Sequence, residues 1–509
     1  MKNSCMNYHA GKMRKECRMK RFFYLIAVIM FIVLNFSCNL SSNNEFAQNL
    51  STDEIIVEQD RCWNNPESIN FSIINNVLKD LKNREINQIV KYLSSDIEWV
   101  VIGQPGTTPF AGDYTGKADV THYLKQFYPA IKIHNIVVES IAETAPKIYE
   151  TYIRIQGFIK SNHRTIDIQF LYTWQFNTEH KIDKVMVVYN VISLELAFSN
   201  GGKGHIVSDV SISQAAIDFT NSFLAIKNYV INLPYSDAKA VLYAPPVPPP
   251  IIPEDGELEV KDLNGVYGEL ISTPGNYDNK IILQIHGGSF IHGYATSLRP
   301  FAYKLAKLVN IPVLSIDYGL AIEEPFSAGL EDCFTAYKEL LKQYKARNIL
   351  LLGISAGGNL IFSVMEKALD ASLPLPGAVV GFSPWLDLTN SGESMVYNND
   401  SDTLLSKTWF DRAAGWYLTD SSSLPTDPLV SPLLGNVTGF PPTYLTVGSS
   451  EVLLNDSTRM FDVLSAENID VTIEIAYNIT HVYPIYNLPE ADRTLARIAE
   501  FIKDKLHIK

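Results

Sequence analysis

Apolar and polar positions between residues 66 and 200 follow first a helical and then an alternating pattern. Apolar residues recur at helical spacing from Ile74 to Val90 and again over residues 117–129. Four later runs alternate between apolar and polar residues, which predicts strands; these runs are Ile131–Ile141, Ile148–Ile159, Thr165–Phe176 and Lys184–Leu196. Helices followed by a meander of long strands predict an α+β domain with a curved antiparallel sheet.

From residue 258 onward, short apolar strands alternate with helical stretches. The pattern predicts a hairpin over residues 259–271, buried strands over 280–285, 313–316 and 348–352, and helices over 298–309, 327–344 and 358–370. A βα rhythm of this kind predicts an α/β domain whose mostly parallel sheet is covered by helices on both faces.

The two patterns are separated by a short connecting region. Gly201-Gly202 ends the first pattern, and an apolar stripe then predicts a helix over residues 208–230. The proline-rich run Pro245–Pro253 predicts a stiff extended spacer, because proline fits neither a helix interior nor a central strand. We therefore place the first domain at residues 66–200 and the second at residues 205–509.

The beginning of the chain has the pattern of an export signal. Residues 1–21 are rich in Lys and Arg, and the unbroken apolar run Phe22–Leu34 follows. Thirteen apolar residues are few for a membrane span and typical of the apolar core of a signal. We expect a signal peptide at residues 1–37 and a polar tether at residues 38–65, hence an exported protein.

Ser37-Cys38 resembles the lipobox of bacterial lipoproteins, in which the cysteine is acylated after cleavage. Asn35 occupies a position where that motif usually has an aliphatic residue. The resemblance implies anchoring to the membrane through Cys38, in the periplasm or at the cell surface. The alternatives are an ordinary secretory signal and an uncleaved anchor, and Met19 would make a tidier signal start than Met1.

Composition narrows the classes of function. The chain has 509 residues, 46% apolar and 19% charged, so most of it has the material for a folded core rather than for intrinsic disorder. A net charge of −13 is opposite to the basic footprint of a nucleic-acid-binding protein, so we expect no nucleic-acid partner. The five cysteines have neither metal-ligand spacing nor the pattern of a disulfide framework.

The segment Gly353-Ile354-Ser355-Ala356-Gly357 follows an apolar strand and precedes a helix. A serine hydroxyl becomes a nucleophile when it is exposed on a sharp turn beside a base. Side chains two positions before and after the serine would collide in such a turn, which explains the glycines. Ser355 is therefore the candidate nucleophile, and a glycine-bounded turn without catalysis is the alternative.

A second glycine-rich segment, His286-Gly287-Gly288-Ser289, follows the predicted strand at residues 280–285. It resembles the His-Gly-Gly-Gly motif of the hormone-sensitive-lipase-like esterases, which have the α/β-hydrolase fold. The resemblance covers residues 255–505 and includes the segments Tyr318–Phe326, Ser383–Thr389 and Asp427–Leu433. It implies a helical cap, built from residues 208–230 and 388–425, over an apolar, aromatic-rich pocket.

The resemblance also assigns the oxyanion hole. The donors would be the N–H groups of Gly288, Ser289 and Ala356, which would bind negative charge as it develops on the substrate. Ser289 replaces a glycine of the family, which leaves its N–H available but crowds the site slightly. Ile354 replaces an aspartate, so the hydrogen bonds of that aspartate are absent.

The acid and the base of such a site follow the serine in the order acid, then histidine. Glu451 lies just past a predicted strand over residues 442–447, and His481 follows another at residues 471–476. Glu451 is the candidate acid, with Asp456 as the fallback, and His481 is the candidate base. We expect His286 to brace the oxyanion loop and His292 to pack near the cleft.

These assignments imply a serine carboxylic-ester hydrolase that acts on short-to-medium acyl esters through an acyl-enzyme. The family needs no metal and no cofactor, and the expected partner is a small-molecule ester. Two alternatives stay open: an amide or peptide hydrolase, and a non-enzymatic binder on a hydrolase scaffold.

The first domain carries Trp99-Val-Val-Ile-Gly103 and Phe110–Val120, which resemble the SnoaL-like branch of the nuclear transport factor 2-like superfamily. The resemblance covers about 130 residues and implies a cone with an internal pocket, which Asp113, Tyr114 and His122 would line. A turn and a helix surface are the plainer interpretations of these three residues. We expect this domain to form a homodimer or to restrict access to the esterase site.

Overall fold

The computed structural model describes residues 68–103, 108–224, 227, 249–321 and 323–508. The predicted signal peptide and tether lie outside these residues, as does most of the proline-rich spacer. All described residues belong to one compact unit, Ile55–Lys509. Within them, no helix has both the length and the apolar character that a membrane crossing requires.

The first part of the unit packs helices against long antiparallel strands. Its elements are α1 (Ile69–Asn83), α2 (Ile86–Tyr92), β1 (Leu93–Val101), β2 (Gly112–Thr115), α3 (Gly116–Ala130), β3 (Ile131–Ala145), β4 (Ile148–Ile159), β5 (Thr165–Phe176), β6 (Ile182–Tyr189) and α4 (Val191–Phe198). β3, β4, β5 and β6 pair antiparallel in that order, and β1 pairs parallel with β6. The predicted helices and the meander of long strands after them are confirmed, whereas β1 and β2 lie between α2 and α3 in the chain.

The predicted strand Lys184–Leu196 is wrong in its second half. Strand β6 ends at Tyr189, and α4 begins at Val191. The Asn190 side chain accepts a hydrogen bond from the N–H of Ser193 and so caps the new helix. A continuous apolar run cannot be divided between strand and helix from periodicity alone, which explains the error.

The second part has the predicted α/β order. Its elements are β7 (His205–Asp209), α5 (Gln214–Ser222), β8 (Glu257–Leu263), β9 (Val266–Ser272), β10 (Ile281–Ile285), α6 (Arg299–Val309), β11 (Val313–Ile316), α7 (Ala328–Gln343), β12 (Ile349–Ile354), α8 (Ala356–Asp370), β13 (Ala378–Phe382), α9 (Lys407–Tyr417), β14 (Thr443–Gly448), α10 (Leu454–Ala466), β15 (Val471–Ala476) and α11 (Pro489–Lys505). A short helical turn, Ser394–Tyr397, precedes α9.

The strands of this part form a mostly parallel mixed sheet in the order β7-β15-β14-β13-β12-β10-β11-β9-β8. Pairs from β7 to β11 are parallel, and the hairpin β8–β9 adds two antiparallel strands at one edge. Because parallel strands share a direction, the loops after their carboxyl ends gather at one edge, where such sheets place their ligand sites.

Helices bury both faces of this sheet. In the central strand β12, Ile349 and Leu351 join a core cluster that includes residues of α7 and α8. Leu350, Leu352 and Ile354 join a second cluster that includes residues of α6 and α11. Successive side chains of a strand point to opposite faces, so an unbroken apolar run is what a strand covered on both sides requires.

Strand β7 joins the two parts into one sheet. It pairs parallel with β15 on one side and parallel with β5 on the other. The helix predicted over residues 208–230 is therefore wrong at its start: Ser208 and Asp209 belong to β7, and α5 begins after Ser213, which caps it. The domain boundary near residue 200 stays a prediction.

Candidate active site

Ser355 lies at the sharp turn between β12 and α8. Its backbone has φ 55° and ψ −115°, which is unfavourable for a residue with a side chain. Two backbone hydrogen bonds hold the turn: the Ser355 N–H donates to the carbonyl of Phe382 (2.8 Å), and its own carbonyl accepts from Trp385 N (3.1 Å). The neighbouring strand β13 and the loop after it thus fix the candidate nucleophile.

The two glycines of the motif are required by close backbone contacts. A Cβ atom on Gly353 would overlap the carbonyl oxygen of Gly357, and one on Gly357 would overlap the carbonyl oxygen of Ile285. Neither obstacle is the end of a flexible side chain. This agrees with the collision argument made from the sequence.

The three predicted side chains meet in one chain of hydrogen bonds. Ser355 Oγ lies 2.9 Å from His481 Nε2, and His481 Nδ1 lies 2.6 Å from Glu451 Oε2. Because ionised Glu451 can only accept, Nδ1 carries the hydrogen and Nε2 is left to accept from the serine hydroxyl. All three residues are at most 5% exposed. This geometry can deliver a serine oxygen to a carbonyl and receive its proton.

Glu451 is held by two further donors. Its Oε1 accepts from the backbone N–H of Gly448 (2.6 Å) and from the hydroxyl of Ser383 (2.8 Å). Asp456, the fallback acid, lies elsewhere and accepts from the N–H groups of Leu386 (2.7 Å) and Asp387 (2.9 Å). It therefore braces the segment after β13 and does not contact the imidazole.

Burial changes the pKa of Asp456 as well as its contacts. The side chain is fully buried, and loss of hydration raises its pKa to about 7. Nothing in its contacts links that proton to His481.

The predicted oxyanion loop lies against the nucleophile. A Cβ atom on Gly287 would come within 3.0 Å of the Ser355 Cβ. Gly288 has φ 111° and Ser289 has φ 54°, which turns successive N–H groups away from regular pairing. Among the described residues, none accepts a hydrogen bond from either N–H. Ala356 is the first residue of α8, so its N–H has no partner within the helix.

The Ser289 hydroxyl points to the cap. Its Oγ accepts a 2.9 Å hydrogen bond from the indole Nε1 of Trp409 in α9, and Trp409 packs edge-on against Trp416. Both Ser289 and Trp409 are at most 5% exposed. The sequence singled out Ser289 and placed residue 409 within the predicted cap, but it gave no sign of their contact, which spans 120 positions.

Burial favours the neutral form of the two histidines of the oxyanion segment. Burial lowers the pKa of His286 to about 4, and burial lowers the pKa of His292 to about 4 as well. His286 stacks on Tyr318, with ring centroids 4.2 Å apart, and the Tyr318 hydroxyl donates to the His286 carbonyl (3.1 Å). These contacts are those of a bracing residue.

The three polar residues named in the first domain do not converge. Asp113 is exposed on β2, Tyr114 donates its hydroxyl to the Phe110 carbonyl, and His122 is exposed on α3 beside Gln126. Their plainer interpretation as turn and helix-surface residues fits these positions. Within the described residues, no group of three or more His, Cys, Asp or Glu side chains is placed to hold a metal ion.

Comparisons with known proteins place relatives over the second part of the chain. Residues 282–485 match a family model described as the alpha/beta hydrolase fold. An esterase of Acinetobacter venetianus is 33% identical over 256 residues, which are 49% of this chain and 84% of that protein. An acetyl-hydrolase of Streptomyces hygroscopicus is 34% identical over 233 residues, 45% of this chain and 77% of that protein.

A solved structure of an esterase is also similar to this chain. The crystal structure of an esterase from the bacterial hormone-sensitive lipase family is 30% identical, with a TM-score of 0.54. The similarity covers 58% of this chain and 100% of that one.

Proposed function

Because this chain belongs to the α/β-hydrolase family that its esterase relatives represent, and is itself an esterase, we propose that Ser355, His481 and Glu451 are its catalytic triad. The observation that carries this proposal is the unbroken hydrogen-bonded chain from serine hydroxyl to imidazole to carboxylate. The substrate class is a carboxylic ester with a short-to-medium acyl group.

Acylation follows from the directions of these hydrogen bonds. His481 Nε2 removes the hydroxyl proton as Ser355 Oγ attacks the ester carbonyl, and Glu451 stabilises the imidazolium that results. Negative charge develops on the carbonyl oxygen, within reach of the N–H groups of Gly288, Ser289 and Ala356. His481 then gives its proton to the departing alcohol, and the acyl group stays on Ser355.

Deacylation repeats these steps with water as the nucleophile. His481 removes a proton from water, which attacks the acyl carbonyl, and returns that proton to Ser355 Oγ as the carboxylic acid leaves. No step needs a group beyond the triad and the three backbone donors.

The preference for short-to-medium acyl groups rests on the enclosure of the site. Ser355 is only 5% exposed, and Trp409 of the cap is hydrogen-bonded to the oxyanion residue Ser289. Aromatic rings close this region: Phe290 stacks on Tyr417 with centroids 3.8 Å apart. A long acyl chain would have to displace these packed rings.

Covalent labelling tests the triad. A fluorophosphonate probe should label the protein at Ser355, and Ser355→Ala should abolish both labelling and hydrolysis of p-nitrophenyl esters. His481→Ala should lower kcat by at least about 10³-fold, the scale for loss of a triad base. Full ester turnover by Ser355→Ala would disprove the proposal. Labelling with amide turnover but no ester turnover would favour the amide-hydrolase alternative, and no labelling would favour a binder.

We further propose that the first part is a nuclear transport factor 2-like domain that forms a homodimer or restricts access to the site. Its support is the packing of α1 and α3 against a sheet in which the long strands β3 to β6 pair antiparallel. Light scattering of the exported protein measures the oligomeric state. If a chain lacking residues 39–200 kept the same assembly and the same ester turnover, this role would be disproved.

Export and lipidation through Cys38 are a separate proposal that rests on the sequence pattern alone. Mass spectrometry of the mature protein should find an acylated amino-terminal Cys38 in the membrane fraction, and Cys38→Ala should move the protein to the soluble fraction. An unmodified cysteine in a soluble exported protein would contradict it.

A further inference from the structure

We propose that Ser383 is a positioning residue that holds the acid and the base of the triad at hydrogen-bonding distance from each other. This inference rests on the proposed function above. Ser383 follows strand β13 and is fully buried. Its hydroxyl contacts both downstream members of the site at once, Glu451 directly and the His481 loop through the next residue.

The direction of these hydrogen bonds follows from their chemistry. The backbone N–H of Val482 can only donate, and it lies 3.1 Å from Ser383 Oγ. The Ser383 oxygen therefore accepts that bond, and its own hydrogen is directed to Glu451 Oε1 at 2.8 Å. One hydroxyl thus links the peptide after His481 to the carboxylate that orients the imidazole.

The ionised form of Glu451 is the form that these contacts select. Its two oxygens receive three donors: the Gly448 N–H, the Ser383 hydroxyl and His481 Nδ1. A protonated carboxyl would have to give up one of them, because its own hydrogen would face a donor. Removing the Ser383 hydroxyl leaves the Glu451 carboxylate with one hydrogen-bond donor fewer, so its orientation toward His481 is less fixed.

Backbone conformation gives the second reason for the assignment. Ser383 has φ 43° and Val482 has φ 51°, and a β-branched residue is rarely found with positive φ. Such conformations persist where their surroundings hold them. Within the described residues, Ser383 Oγ is the acceptor of the Val482 N–H. The hydroxyl therefore stabilises the turn that presents His481.

Ser383 also belongs to the segment that holds the nucleophile. The residue before it, Phe382, accepts the Ser355 N–H, and Ser383 N donates to the Thr446 carbonyl at 2.7 Å. The segment Phe382–Ser383 therefore bonds Ser355, Glu451 and the residue that follows His481. A hydrogen bond between Ser383 and Glu451 spans 68 positions in sequence.

Two further ionisable groups face Glu451. Asp402 has its pKa raised by burial and by Glu451, and its carboxylate is held by the N–H groups of Leu405 and Val452. Tyr486 has its pKa raised by burial and by Glu451. Among the described residues, the Ser383 hydroxyl bonds Glu451 and the Val482 N–H, and neither Asp402 nor Tyr486 shares a hydrogen bond with it.

The test compares Ser383→Ala and Ser383→Gly with the wild type, in p-nitrophenyl acetate hydrolysis across pH 5 to 9. The glycine variant removes the hydroxyl and also relieves the positive φ, so it keeps the test valid if the alanine variant folds poorly. We expect kcat about tenfold lower, KM nearly unchanged, and the acidic limb of kcat/KM displaced from that of the wild type. Rates are taken per fluorophosphonate-titrated site.

A double-mutant cycle separates positioning from general stability. If Ser383 acts through Glu451, Ser383→Ala should cost little further kcat in the Glu451→Gln background. Ser465→Ala is the matched control, because Ser465 is a buried serine whose hydroxyl bonds the Lys203 carbonyl and no residue of the proposed triad, and it should keep the wild-type pH profile.

Two results would overturn the proposal. One is a Ser383→Gly protein with wild-type kcat and an unmoved acidic limb. The other is a full, additive loss of kcat when Ser383→Ala is combined with Glu451→Gln. The proposed triad is tested separately by labelling of the wild type, which does not depend on Ser383.

Discussion

Ser355 combines a backbone with positive φ and a side chain whose Oγ lies 2.9 Å from His481 Nε2. Its glycine-bounded motif, and the order of Glu451 and His481 after strands, follow from local constraints that leave a trace in the chain. The contact of Ser289 with Trp409 leaves no such trace, because any buried indole could find its partner elsewhere. Ser383 stood within a recognised segment, but its role depends on a turn formed a hundred residues later.

The choice between two acids gives a prediction at this scale. Glu451→Gln should lower kcat about 10³- to 10⁴-fold, because an amide NH₂ facing Nδ1 favours the wrong imidazole tautomer. Asp456→Asn should keep kcat close to wild type and lower the thermal midpoint, because it disturbs the bonds to Leu386 N and Asp387 N. Steady-state kinetics and thermal unfolding of both variants provide the check. A strong loss of kcat in Asp456→Asn alone would reverse the assignment.

Among the elements, the strand and the helix on either side of the turn from β12 to α8 were predicted closely. The predicted ends of both elements lie within two residues of the observed ones. A central parallel strand is apolar throughout and the helix after it is long and regular, so both leave a clear pattern in the sequence. Strand β7 escaped prediction because its five residues precede a longer helical stripe. Its partners, β5 and β15, lie on either side of it in sequence, one before and one far after.

Glycine substitutions test this turn. Gly353→Ala or Gly357→Ala should lower the free energy of unfolding by about 3 kcal/mol or more, since each new methyl group would overlap a backbone carbonyl. Gly415→Ala is the matched control: nothing lies within 4 Å of a Cβ there, and the residue is inside helix α9. That change should stabilise the protein by about 0.5–1 kcal/mol. Chemical denaturation measures all three; equal effects would refute the argument.

Helix α9 carries a prediction on acyl length. Trp409→Phe removes the indole N–H that bonds Ser289 and reduces the ring, so α9 should pack less tightly over the site. We expect kcat/KM for p-nitrophenyl octanoate to rise several-fold relative to the acetate. Ser289→Ala removes the acceptor while keeping the backbone N–H, and it should shift the ratio in the same direction. An unchanged ratio in both variants would show that this bond does not limit chain length.

For the whole molecule, a cluster of charges joins the two parts of the sheet. Asp209 of β7 pairs with Arg154 of β4 and with Arg497 of α11, and Arg497 also pairs with Glu474 of β15. Burial alone would raise the pKa of Asp209, but Arg497 and Arg154 hold that pKa well below its ordinary value. The apolar patterns predicted each part separately. The charged residues that join the parts are too far apart in sequence for their pairing to be predicted.

Asp209→Asn should therefore destabilise the protein by about 3 kcal/mol at neutral pH, because Arg154, Arg493 and Arg497 lose a buried partner. A carboxyl with a lowered folded-state pKa contributes stability above its unfolded-state pKa and loses it as the pH falls further. The difference between variant and wild type should thus shrink in acid. Asp492→Asn, at an exposed pair with Lys304, should change stability little. Denaturant unfolding at several pH values measures both, and equal losses would contradict this account.

The pairing of β7 with β15 has a consequence for biosynthesis. β7 leaves the ribosome long before its partner β15, because more than 260 residues separate the two strands in the chain. One edge of β7 must therefore stay unpaired until β15 has been made, and contacts so distant along the chain form slowly. Such an edge invites pairing with other nascent chains. Holding chaperones should raise the yield of active enzyme more than they would for a relative that lacks the added strands.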